Sequence, residues 1–268
     1  MPEKKAAFAK KTLGQNFLID TATREKILEI AGNISGKNIL EIGPGLGFLT
    51  TALLRSGADL TAVEIDERAV QILEKDLGHK KNFQLLKGDI LTINLDEIFP
   101  QKMYSVIANI PYNITNPIIR KLLETTKNKP DFCLLMVQKE VAEKICNTKK
   151  RSILSIAVEV FAESYCAHTV DRNCFQPVPK VDSALLCLKI RPKPLVKKSQ
   201  QKMFFTAVNA GFHEKRKKIG NTIGKFFGVA AKKLLADIDP NLRPENLSIQ
   251  DWKGITQRAG RLDNQMTD

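Results

Sequence analysis

Between residues 38 and 138, five short runs rich in branched aliphatic residues (38–42, 60–65, 83–87, 104–108 and 133–138) alternate with stretches of helical periodicity. A strand that pairs parallel to its predecessor needs a covering crossover, so the alternation predicts an α/β fold: a doubly wound, mainly parallel Rossmann-like sheet with helices on both faces. A helix is expected over residues 23–31, where Ile27, Leu28 and Ile30 supply the apolar face. Beyond residue 138, a helical stretch at 153–161 leads into two further strands, 164–170 and 184–190, placed to pair antiparallel at one edge of the sheet. Arg191-Pro192-Lys193-Pro194 then interrupts both periodicities. From residue 199 the pattern is helical, with Phe204, Phe205, Val208 and Phe212 on one face. The chain therefore divides into an α/β domain, residues 1–192, and a small all-helical domain, residues 193–268. The first 20 residues of the α/β domain form a basic opening segment, expected to cover the ligand cleft of the sheet.

The 42 Lys and Arg exceed the 29 Asp and Glu by 13, which points to a polyanionic partner and to nucleic acid first. No apolar run approaches the roughly 18 uncharged residues of a membrane span, and no signal-peptide core follows the Lys-rich opening. A cytoplasmic monomer without a membrane partner is the expectation. Five cysteines with no C-x-x-C pair indicate neither a disulfide framework nor a zinc site, and no metal is expected. The histidines His79, His168 and His213 are scattered and read as structural or surface residues.

Residues 38–47, NILEIGPGLG, form a strand that ends in Glu41 and runs into Gly43, Gly45 and Gly47. Glycines at such a turn admit close approach of a ligand to the backbone. The alternate spacing is not G-x-G-x-x-G, and a carboxylate at Glu41 would repel a dinucleotide's phosphates. A sulfonium cofactor, S-adenosylmethionine, carries no phosphate and suits the acid, which makes a nicotinamide dehydrogenase the weakest alternative. Glu64 closes the second strand about 21 residues past Gly43, the distance at which an acid accepts ribose hydroxyls. Asp66 is the rival acceptor, but the strand period leaves it in the turn. Asp89, at the end of the third strand, is an acceptor for the adenine amine or else a turn aspartate.

The fourth strand delivers Asn109-Ile110-Pro111-Tyr112 to the same edge, followed by a helix start with Thr115 or Asn116 as cap and Pro117 in first position. Adenine N6 is a weak nucleophile because its lone pair is delocalised into the ring. Two carbonyl acceptors, the Asn109 side chain and the backbone of Ile110 or Pro111, would localise that pair by holding both N6 hydrogens. Tyr112 offers a face for a flipped base. No base is required, because alkylation itself makes the nitrogen acidic.

These residues closely resemble the ribosomal RNA adenine N6,N6-dimethyltransferases. The shared pattern runs through Lys11-Thr12-Leu13-Gly14-Gln15-Asn16-Phe17-Leu18, the glycine run, Glu64, Asp89, the Asn109–Tyr112 loop and Phe175-Gln176-Pro177-Val178-Pro179-Lys180-Val181-Asp182-Ser183. The resemblance implies that Asn16 and Leu18 hold the cofactor with Glu41, Gly43, Gly45, Glu64, Asp89 and Asn109. It also implies that Phe175 stacks on the target base opposite Tyr112; on the residues alone, Phe175 is a core plug. The Pro-Val-Pro-Lys-Val-Asp-Ser-Ala string and the basic tail resemble the branch that dimethylates two neighbouring adenosines near the 3′ end of small-subunit rRNA. The alternatives are the sister large-subunit methylase of macrolide resistance and a non-catalytic assembly or transcription factor on the same fold. A departure from the family lies at 147–153, where Lys149-Lys150-Arg151-Ser152 replaces a longer loop. Arg216, Lys217 and Lys218, in a basic run expected to begin a helix, are candidates for phosphate contacts or a solvated face.

Overall fold

The computed structural model describes residues 8–214 and 216–265. Lys4 and Lys5 of the basic opening segment and Lys215 of the basic run 215–218 lie outside the described residues. In chain order the elements are β1 (Phe17–Leu18), α1 (Thr21–Ala31), β2 (Asn38–Ile42), α2 (Phe48–Arg55), β3 (Asp59–Glu64), α3 (Glu67–Leu77), β4 (Phe83–Lys87), α4 (Leu95–Ile98) and β5 (Ser105–Asn109). They continue with α5 (Thr115–Arg120), β6 (Phe132–Gln138), α6 (Lys139–Cys146), α7 (Ile153–Phe161), β7 (Ala162–Val170), β8 (Phe175–Gln176) and β9 (Ser183–Ile190). The last helices are α8 (Lys198–His213), α9 (Ile223–Phe227), α10 (Ala231–Leu235) and α11 (Ile249–Gln265).

Seven strands form one sheet in the order β4-β3-β2-β5-β6-β9-β7. Neighbours from β4 to β6 run parallel, and β9 runs antiparallel to β6. The chain steps outward from β2 to β4, then returns across the sheet to place β5 on the other flank of β2. That reversal opens a crevice at the carboxyl ends of β2 and β5, where ligands of doubly wound sheets bind. β6 (FCLLMVQ) is buried at five successive positions, as a strand covered on both faces requires. The core joins Ile39, Leu60, Ile107, Leu134 and Leu185 of the sheet to Ile27 and Leu53 of the covering helices.

Helix starts follow local chemistry. The Asp20 carboxylate caps α1 by accepting from Thr23 N at 2.6 Å, and Asp66 caps α3 by accepting from Arg68 N. The 147–153 departure is a compact turn: Asn147 Oδ1 accepts from Lys149 N and Lys150 N, Arg151 pairs with Glu159 at 2.8 Å, and Ser152 forms a capping box with Ser155 at the start of α7.

The chain separates into two compact units. The first comprises residues up to Glu143 together with Glu163–Ile190, and the second Lys144–Ala162 with the chain from Arg191 onward. The α7 helix, expected within a sheet domain running to residue 192, thus groups with the C-terminal helices. Its sequence ILSIAVEVF is apolar on nearly every side, and Phe161 stacks on Phe205 of α8 with ring centroids 6.2 Å apart. Within this unit Trp252 of α11 is fully buried against Gly211 of α8, where a Cβ would fall 2.4 Å from the Trp252 ring. The glycine permits that close helix approach.

Two further corrections concern local structure. Residues 112–114 form a 3-10 turn, so α5 begins at Thr115 with Ile114 as its cap and Pro117 inside the first turn. The basic run does not begin a helix: 216–218 lie between α8 and the 3-10 turn Ile219–Asn221. Of the cysteines, Cys133 and Cys187 are buried as small hydrophobes and Cys166 is exposed.

Candidate active site

The carboxyl ends of β2, β3, β4 and β5 open into one cleft. Asn16, Leu18, Glu41, Gly43, Gly45, Glu64, Asp89, Asn109, Pro111 and Tyr112 all line it, together with Thr12 to Gln15 of the opening segment. Among the described residues, the lining carries three acids and no lysine or arginine. A pyrophosphate finds no counter-charge here, whereas a cationic ligand does.

Each acid has a distinct environment. Glu64 is buried; its Oε1 accepts from Ile65 N and Asp66 N and its Oε2 from Gly45 N, each at 2.9 Å. Those three bonds lower its pKa, but burial is the larger effect and leaves it raised. A carboxylate offers about four lone-pair sites, so acceptor capacity remains on Oε2. Asp66 does not line the cleft. Its side chain caps α3, pairs with Arg68 at 2.6 Å and accepts from Gln15 Nε2 at 3.1 Å, and the Arg68 hydrogen bond holds its carboxyl far below the usual range. Asp89 Oδ1 accepts from Leu91 N at 2.8 Å.

Glu41 is buried at 2% exposure, and among the described residues its Oε2 has no hydrogen-bond partner. Burial pushes its carboxyl up to about 8; Thr50 opposes the shift and the nearby Glu64 charge adds to it. A buried carboxyl oxygen without a partner is costly unless a ligand supplies one. Glycines complete the cradle. Gly45 lies at φ +57°, and a Cβ there would meet the Phe17 ring at 2.8 Å.

Because the folded carboxyl titrates near 8 while an exposed one does so near 4.5, the empty protein loses stability as pH rises from the lower value through the higher. Glu41→Gln should remove that loss. Cofactor affinity in the wild type should climb relative to Glu41→Gln as pH rises towards 8, because a cation favours the ionised acid. Calorimetric titrations across pH check this, and parallel profiles for the two proteins would refute it.

The opening segment is pinned over the cleft. Arg68 stacks on the Phe8 ring at 4.2 Å and donates to Phe8 O, Lys10 N donates to Gln15 Oε1, and β1 pairs antiparallel with β8. Gly14 approaches the loop after β5 so closely that a Cβ would lie 2.8 Å from Asn113 Oδ1. Asn109 Nδ2 donates to Asn16 O at 3.1 Å. The side-chain amide is thereby oriented, with its nitrogen committed to the opening segment and its oxygen left as an acceptor. Pro111 O already accepts from Ile114 N and Thr115 Oγ1, at 3.2 and 3.4 Å. Tyr112 is half-buried, and its hydroxyl bonds to the Oγ of fully buried Ser183 at 2.6 Å.

Phe175 requires a correction. Its ring is 1% exposed within the sheet core, beside Leu18 and Ile27, and it does not line the cleft. Its backbone pairs with Leu18 in the short β1–β8 ladder, which turns the side chain inward. The contact that the 175–183 string makes with a cleft residue is instead Ser183 on Tyr112. Gln15 and Ser183 stand in the shared pattern without a role of their own, because each acts through a partner distant in the chain; Arg68 escapes sequence reasoning, although a strand-end aspartate two residues before an arginine is itself a capping signal.

The family description "Ribosomal RNA adenine dimethylase" matches residues 7–260. The chain belongs to this family. It is an S-adenosylmethionine-dependent methyltransferase, and the cleft fits that cofactor on its own evidence: an orphaned buried acid, a glycine cradle and no phosphate counter-charge. Among relatives of this dimethylase, the ribosomal RNA small subunit methyltransferase A of Streptococcus equi subsp. zooepidemicus is 39% identical over 259 residues, covering 91% of this chain and 89% of the relative. The protein of the same name from Bacillus mycoides is 38% identical over 263 residues, covering 92% and 90%. Among solved structures, a dimethyladenosine transferase from Plasmodium falciparum superposes with a TM-score of 0.77 at 26% identity, covering 91% of this chain and 98% of that one. The 23S rRNA methyltransferase ErmE gives 0.72 at 26%, covering 91% and 100%. Among the described residues, no helix is long and apolar enough to cross a membrane, and no group of three or more His, Cys, Asp or Glu could hold a metal ion.

Proposed function

We propose that this dimethylase converts two neighbouring adenosines, in a loop near the 3′ end of small-subunit rRNA, to N6,N6-dimethyladenosine. It acts in the cytoplasm as a monomer, during ribosome biogenesis. The chemistry rests on one observation above all: the Asn109 amide is held through its nitrogen, so its oxygen is presented as an acceptor at the carboxyl edge of β5. The choice of subunit rests on relatives named for the small subunit at 38–39% identity, against 26% for the 23S enzyme.

The bound cofactor supplies an electrophilic methyl group on a cationic sulfur. Glu41 would supply the counter-charge for its cationic end, Glu64 would accept from its ribose hydroxyls, Asp89 would accept from its adenine amine, and Asn16, Leu18, Gly43 and Gly45 would wall it in. Asn109 Oδ1 and the Ile110 carbonyl accept the two N6 hydrogens of the target base, and Ile110 is the better second acceptor because Pro111 O is engaged. The N6 lone pair is thereby drawn out of the ring and directed at the methyl group. Tyr112, its hydroxyl anchored by Ser183, stacks on the flipped base. The proton leaves N6 for water once the nitrogen carries the new bond, so placement and electrostatics supply most of the rate.

Arg216, Lys217 and Lys218 are exposed, and we assign them to rRNA phosphates. Replacing all three with alanine should weaken RNA binding and reduce its log–log salt slope by roughly 2, leaving cofactor affinity intact; an unchanged slope would refute the patch. Labelled methyl transfer to purified small and large subunits tests the substrate. Label in small subunits alone is expected, and label confined to large subunits would favour the ErmE-like alternative.

A further inference from the structure

Lys121 stands outside the cleft, one helix beyond the target-base loop, yet its ammonium reaches the turn that carries Asp89. It donates to Leu91 O at 3.1 Å and also to Ile93 O. Lys121 opens a π-helical turn, Lys121–Thr125, directly after α5, and Thr126 closes that turn by donating from both its N–H and its Oγ1 to Lys121 O. Such turns are rare inside helices and recur at functional sites.

The segment 89–93 is held from two sides. Asp89 gathers its N–H groups: Oδ1 accepts from Leu91 N, and the main-chain oxygen accepts from Thr92 N at 2.9 Å and Ile93 N at 3.0 Å. Lys121 gathers its carbonyls. Leu91 therefore receives a bond at each end, its N–H on the Asp89 carboxylate and its C=O on Lys121. Gly88 seats the turn on β4, since a Cβ there would fall 2.9 Å from Ile93 Cδ1.

We infer that Lys121 is a positioning residue for the cofactor's adenine: by fixing the 89–93 turn it keeps one Asp89 oxygen on Leu91 N and leaves the other aimed at the 6-amino group. This rests on the reading of Asp89 as the acceptor for that amine. Partial burial lowers the Lys121 pKa while the Asp89 charge opposes the shift, as a cation solvated by protein carbonyls beside a carboxylate requires.

The test compares two ligands on the same protein, S-adenosylhomocysteine and its inosine counterpart, in which an oxygen replaces the amine. A general loss of stability cancels in the ratio of their dissociation constants. The wild type should prefer the amine by roughly tenfold or more, and Asp89→Ala should abolish the preference. Lys121→Met, which keeps the stem and removes the donor, should lower it severalfold. Lys121→Gln, which keeps an N–H donor, should fall between wild type and methionine, and it carries the test if the methionine variant does not fold. A wild-type ratio in the Lys121 variants, in a protein whose Asp89→Ala form has lost its preference, overturns the inference alone. A preference that survives Asp89→Ala overturns the Asp89 reading and the inference with it.

Discussion

Replacing Asn109 with alanine should lower methyl transfer by about 10²–10³-fold, the usual consequence of deleting one acceptor or donor aimed at developing charge. Cofactor affinity should change by no more than the roughly fivefold that a single neutral hydrogen bond represents. The asymmetry follows from geometry. The Asn109 nitrogen is spent on Asn16 O, so the substitution loosens one tie to the opening segment, whereas the oxygen is the proposed acceptor for the target amine. Single-turnover rates and calorimetric dissociation constants on the same preparation separate the two effects. Equal losses in both would make Asn109 a cofactor ligand and remove it from the chemistry.

The second large effect is expected at Glu64. Alanine there strands three backbone N–H groups, of Gly45, Ile65 and Asp66, at about 1–3 kcal/mol for each that stays buried and unpaired. It also removes the proposed ribose acceptor. Affinity should fall by about 100-fold or more, the combined weight of two hydrogen bonds to a charged group, and the melting temperature should fall with it. Glu64→Gln keeps two acceptor lone pairs and should recover most of the stability but little of the affinity. Near-native affinity in the alanine variant would show that the ribose is held elsewhere.

The sheet was legible because its signal is local: five apolar runs at regular intervals specify parallel strands whatever the details of packing. The neighbouring of β9 and β7 at one edge follows from two strands close in sequence, whereas nothing local says that β7 lies outermost. The cleft was equally legible, since a doubly wound sheet brings its strand ends together and Glu41, Glu64, Asp89 and Asn109 each close a strand. What the sequence could not carry was everything decided by partners far along the chain. Nothing in residues 15–18 says that Asn16 O will meet Asn109 or that Leu18 will pair with Phe175. That two-residue ladder keeps Phe175 in the core, as the residues alone suggest and against what the resemblance implies. The α7 helix likewise carries no mark of its unit, because a helix apolar on all sides packs wherever apolar surface is offered. Charge runs are the least specific of all: Lys217 is paired with Glu214 at 2.6 Å and Lys218 donates to Asn241 at 2.8 Å, contacts that a count of basic residues cannot anticipate.

Nucleoside analysis of unmodified small subunits, after incubation with this protein and cofactor labelled in its methyl group, tests most directly whether carbonyl oxygens at the end of β5 direct an adenine amine at that methyl. All label should appear as N6-methyladenosine and N6,N6-dimethyladenosine, and Asn109→Ala should lower both by about 10²–10³-fold. Label on a ring nitrogen or a ribose oxygen, or transfer to N6 that survives Asn109→Ala undiminished, would contradict it.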